Sequence, residues 1–124
     1  MEDEAFQNLL DEILDSLPEE FKSKLTNVAI RYQDWPSDIQ LKKARVTKGL
    51  LLGLYEGVPN AKGGYYRIKL PDTITLFKIP LQMVSRSILD FTQRVRDTLL
   101  HEIAHHFGMN EDEVREAEAN RQHH

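Results

Sequence analysis

His101-Glu102-Ile103-Ala104-His105-His106-Phe107-Gly108 is the stretch on which the reading of this chain turns. On an α-helix, residues four apart lie on one face, so the imidazoles of His101 and His105 converge and can share a tetrahedral metal ion. Glu102 follows about 100° further round. It can reach a water bound to that ion without being a ligand itself. Leu99, Ile103, Phe107, Leu100, Ala104 and Val95 fill a broad apolar arc, while Arg94, Thr98, His101 and His105 share the remaining face. Arg96 falls inside the apolar arc and breaks the pattern. A solvated helix with incidental histidines would need no such arc. A largely buried helix with one polar strip is what the floor of a cleft requires.

A catalytic zinc site takes three protein ligands and leaves one position for water. Gly108 indicates where the third comes from, since glycine just past a helix end adopts the left-handed conformation that turns the chain back. The first carboxylates beyond it are Glu111 and Asp112. In the extended pattern HExxHxxGxxH the third ligand is the third residue after the glycine, here Glu111. Asp112 is the competing ligand, although Asn110 or Asp112 could instead cap a last helix running to about residue 119. Glu116 and Glu118 read as solvated positions of that helix. Two imidazoles and a carboxylate leave the ion positive, so the expected chemistry is hydrolysis of a polarised carbonyl by a zinc-activated water, with Glu102 as general base. His106 reads as a hydrogen-bonded interior histidine rather than a ligand.

The chain has 124 residues and a net charge of −4 with both signs interspersed, and it contains no cysteine. That length suits a single domain over residues 1–124. A nucleic-acid surface would need a clustered basic stripe, and the short group Lys42, Lys43, Arg45 and Lys48 reads as a solvated face. Without thiolates, any metal ligands must be nitrogen and oxygen. No start resembling a signal peptide and no bilayer-length apolar run is present, so the expectation is a cytoplasmic protein with no membrane partner. His123-His124 resembles the remnant of an expression tag.

Outward from the histidine helix, Phe6, Leu9, Leu10, Ile13, Leu14 and Leu17 predict an amphipathic helix over about residues 2–16. Pro18 opens a short helix to about residue 24. Strands are expected at 28–32, 50–55, 66–70 and 74–79, a loop at 57–64, and possible helix within 34–48. The long helix should span about residues 88–107. The fold class is α+β: an N-terminal helix, a small mixed sheet, a long metal helix and a short C-terminal helix. Ile74-Thr75-Leu76-Phe77-Lys78 is the candidate edge strand for pairing with an extended substrate; the competing reading is an ordinary interior strand.

Three segments together resemble the minimal zincins, small single-domain bacterial proteins classed as zinc-dependent peptidases related to the metzincins. They are His101 to Met109, Leu51-Leu52-Gly53-Leu54-Tyr55-Glu56-Gly57-Val58-Pro59, and Leu70-Pro71-Asp72-Thr73-Ile74-Thr75-Leu76-Phe77. The resemblance implies a zincin-like fold and a third ligand from an acidic residue after the glycine; aspartate is usual in that family where this chain has Glu111. No counterpart of the methionine turn of larger metzincins is present. The implied function is a zinc metallopeptidase acting on a peptide or protein substrate, with zinc on His101, His105 and Glu111. A non-catalytic zinc-containing module that binds a peptide or protein in the same cleft is the alternative, and small-molecule amide hydrolysis is a third. Glu102 favours catalysis, because a binding module has no need of it.

Overall fold

The computed structural model describes residues 1–57 and 71–122. The expected strand at 66–70, nearly all of the loop at 57–64, and the His123-His124 pair lie outside them.

Helix α1, Asp3–Ser16, forms because Phe6, Leu10 and Ile13 recur at helical spacing and bury one face. Asp3 and Glu4 in its first turn oppose the positive end of the helix dipole. Pro18 stops it, serving as N-cap of the short helix α2, Glu19–Lys22, rather than as its first residue. A 3-10 turn, Ser23–Leu25, leads into strand β1, Val28–Gln33. Within the polar stretch that follows, Ser37 and Gln40 close a reciprocal capping box and start helix α3, Asp38–Lys43.

Strands β2, Gly53–Glu56, and β3, Asp72–Phe77, complete a mixed sheet in the order β1-β3-β2. β3 runs parallel to β1, with Ile30 opposite Ile74, and antiparallel to β2, with Tyr55 opposite Ile74 on the other side. The expected edge strand is therefore the central one. Its last four residues, Ile74 to Phe77, are all buried, as a strand flanked on both sides requires. Among the described strands β2 lies at an edge.

The 74–79 stretch also ends as a strand earlier than its apolar run implies, because helix α4, Lys78–Met83, begins at once. Pro80 is compatible with that, since the first-turn N–H groups of a helix have no intrahelical partner to lose. Lys78 is buried at this junction, with its ammonium 2.6 Å from Asp3 and 3.3 Å from Asp34. One buried cation thus ties the start of α1 to the segment after β1.

Helix α5, Ile88–His106, is capped by the Ser87 hydroxyl, which accepts from the Asp90 N–H. Phe91, Val95, Leu99, Leu100 and Ile103 meet Phe6, Leu10, Ile13, Leu17, Phe21, Ile74, Leu76 and Leu81 in a common core. Arg96 is buried with them, while Phe107, expected in the apolar arc, caps the helix and is exposed. Helix α6, Glu111–Gln122, ends the described chain. Among the described residues no helix is long and apolar enough to cross a membrane.

β2 lies so close to α5 that its first residue has no room for a side chain. A Cβ on Gly53 would stand 2.7 Å from Thr98 Cγ2, a methyl on a β-branched, rotationally stiff residue. We expect Gly53→Ala to cost about 1–3 kcal/mol of stability by forcing strand and helix apart. Adding Thr98→Ser, which deletes that methyl, should recover most of it. Denaturant midpoints of the three variants check this; an unchanged midpoint for Gly53→Ala refutes it.

Candidate metal centre

Gly108 takes φ +68°, and the helix end closes as a Schellman turn: Met109 N–H donates to Ala104 O at 2.9 Å and Gly108 N–H to His105 O at 3.4 Å. Met109 then packs against the core, and the chain reverses into α6. Asn110 caps that helix. Its side chain accepts from Glu113 N–H at 2.8 Å, and Glu113 reaches back to Asn110 N–H at 3.4 Å.

His101 and His105 are exposed on the polar strip of α5, with ring centroids 6.2 Å apart and planes 20° from parallel. Two imidazoles sharing a tetrahedral ion at ordinary zinc–nitrogen distances have centroids roughly 5 Å apart, about an ångström closer than this pair. Both line a cavity of about 700 Å³ between α5 and α6, and Glu111, the first residue of α6, lines it too. Asp112 does not: it is exposed and forms an ion pair with Arg115. Glu116 is exposed as expected, and the Glu118 side chain is outside the description. Among the described residues no three ligating side chains are gathered tightly enough to hold an ion. Two imidazoles and a carboxylate are donor types that zinc takes, and His101, His105 and Glu111 line one cavity.

Glu102 is only partly exposed, and its Oε2 accepts the main-chain N–H of Tyr55 at 3.2 Å. Burial pushes its carboxyl above the ordinary value of 4.5, opposed by positive charge at His101, by the Tyr55 N–H and by His105. A native state that holds this proton after the unfolded chain has released it is favoured at low pH, and that contribution is lost as pH rises through the elevated native value. In the metal-free protein, Glu102→Gln escapes the loss. Its stability relative to wild type should therefore be greater at pH 7 than at pH 4, as read by denaturant unfolding; the reverse trend would show a carboxylate stabilised by folding.

A second cavity of about 450 Å³ opens on the other side of His101, where Leu51, Leu52, Gly53 and Thr98 meet Glu102. His106 is not interior as expected. Its side chain is 39% exposed, stacks on the Tyr55 ring with centroids 3.6 Å apart, and lies 3.7 Å from Asp72. Tyr55 donates its hydroxyl proton to Asp72 at 2.8 Å, and burial together with that carboxylate pushes the phenol well above its ordinary value. Sequence reading missed Tyr55 and Asp72. Both lie within the family-like segments, but their contacts depend on strand register, which no local pattern encodes.

A family profile described as zincin-like metallopeptidase matches residues 25–121. Among solved structures, the chain is similar to a conserved hypothetical protein from Thermo thermophilus, with 29% identity and a TM-score of 0.57 over 85% of this chain and 92% of that one. No curated protein matches.

Proposed function

The chain belongs to the zincin-like metallopeptidase family, and on that footing we propose that it is a zinc-dependent peptidase with Glu102 as general base. His101, His105 and Glu111 are the residues that would hold the metal. Zinc in such a centre supplies Lewis-acid polarisation of a carbonyl and lowers the pKa of a water. The chain's own residues do the rest. With Oε2 engaged by Tyr55, Glu102 uses Oε1 to take the proton of the attacking water and then delivers it to the leaving amine nitrogen. Burial holds its carboxyl above the ordinary value, the direction that makes a carboxylate a stronger base.

The edge of β2 supports an extended polypeptide as substrate. Phe77 N–H donates to Leu52 O, so by antiparallel alternation Leu54 and Glu56 face β3 while Gly53 and Tyr55 direct their main-chain groups outward. The Tyr55 N–H goes to Glu102; the Gly53 N–H and C=O and the Tyr55 C=O are the groups a substrate backbone would pair with. The cavity beside Leu51 and Leu52 suits an apolar substrate side chain.

The single observation that carries this reading is the adjacency, on one exposed strip, of His101 and His105 with a half-buried Glu102 tied to the edge strand. The test is cleavage of a fluorogenic peptide library by the zinc-reconstituted full chain, read beside Glu102→Gln. Cleavage by wild type and its loss in the variant are expected. Equal cleavage by both removes Glu102 from the mechanism, and peptide binding without cleavage favours a binding module.

A further inference from the structure

Glu102 and His106 are four residues apart, so both point from the same face of α5, and a single residue of β2 touches each of them. Tyr55 meets Glu102 with its main-chain N–H and meets His106 with the flat of its ring, centroids 3.6 Å apart and planes within 8°. Phe107 adds an edge-on contact at 6.2 Å. The hydroxyl continues to Asp72, the first residue of β3, which lies diagonally across the ladder two residues from the Tyr55–Ile74 pair.

We infer that Tyr55 is a positioning residue for Glu102: its ring, held by His106 and Asp72, fixes an outward strand N–H where it selects one orientation of the carboxylate. The role assigned to Glu102 rests on the peptidase reading; the physical tie does not. Among the described residues β2 is four residues long with a partner strand on one side only, and an unheld glutamate samples many rotamers. Anchoring through the ring removes both freedoms together. Gly53, where a Cβ would stand 2.7 Å from Thr98 Cγ2, lets the strand lie against the helix two residues earlier. The arrangement leaves one Glu102 oxygen engaged and the other available, which general-base transfer requires.

Amide exchange in the ¹⁵N-labelled full chain tests this without a substrate. With the Glu102 carboxyl as its acceptor, the residue 55 amide should exchange about tenfold more slowly in wild type than in Glu102→Ala, and resonate downfield of its position there. Tyr55→Leu, which loses the stack and the hydroxyl, should bring the amide to the Glu102→Ala level; Tyr55→Phe, which keeps the stack, should lose a smaller part of the protection. The inference is overturned if the amide behaves alike in wild type and Glu102→Ala, or if Tyr55→Leu leaves it as protected as in wild type. Peptide cleavage by Glu102→Gln at the wild-type rate would instead overturn the peptidase reading and leave the amide result standing.

Discussion

If Glu102 is the general base of a zinc peptidase, as proposed, replacing it by glutamine should lower kcat for peptide hydrolysis by about 10²–10⁴-fold while leaving zinc bound. The magnitude is that of removing a positioned general acid–base group, and glutamine preserves size and hydrogen-bonding shape while abolishing proton transfer. The Tyr55 N–H still finds an acceptor in the amide oxygen, so the edge strand keeps its place. An effect on kcat with little change in KM identifies a group that acts in the transition state; a rise in KM alone would mean that Glu102 only helps to hold substrate. Metal analysis of the same sample keeps loss of the base distinct from loss of the ion.

The second large effect is expected at His105. His105→Ala takes away one of the two proposed ligands that the helix presents at the i, i+4 spacing, and zinc affinity should fall by more than the roughly 10–100-fold that loss of an outer-shell partner costs. The helix itself should survive. His105 is exposed, while Leu99, Leu100 and Ile103, which fasten α5 to the core, are untouched. Zinc titration monitored by calorimetry, alongside circular dichroism to establish that the helix remains, reads this outcome. Undiminished zinc binding by His105→Ala would remove the histidine pair from the site.

Much of this architecture is local and was legible in the residues. The 3.6-residue spacing of Phe6, Leu10 and Ile13 gave α1, the arc of Val95, Leu99 and Ile103 gave α5 with its polar strip, and Gly108 gave the turn to α6. The order of strands was a different matter. β3 was the candidate for the substrate edge, with an ordinary interior strand as the competing reading; it pairs on both sides, and among the described strands β2 lies at an edge. The β3 run Ile74 to Phe77, apolar but for Thr75 and buried throughout, is the mark of a strand covered on both faces, and read that way it pointed to the centre.

α4 escaped because Ile79 and Leu81 continue the apolar run of β3, and because Pro80 reads as a helix breaker except in a first turn. The contact between Tyr55 and Glu102 joins residues 47 apart and arises from the register of β2 on β3 together with the closeness of β2 to α5. Only Gly53 hinted at that closeness. His106, expected inside, is on the surface because the aromatic face of Tyr55, rather than the core, receives its ring.

Between the two acidic candidates, the described geometry sets Glu111 in the cavity with both histidines and gives Asp112 to Arg115. The measurement that tests the central claim most directly is therefore zinc stoichiometry and affinity of the tag-free, zinc-reconstituted full chain, compared across wild type, Glu111→Ala and Asp112→Ala. The account predicts one tightly held zinc per chain in wild type and in Asp112→Ala, and its loss in Glu111→Ala. A wild-type chain that takes up no zinc contradicts it.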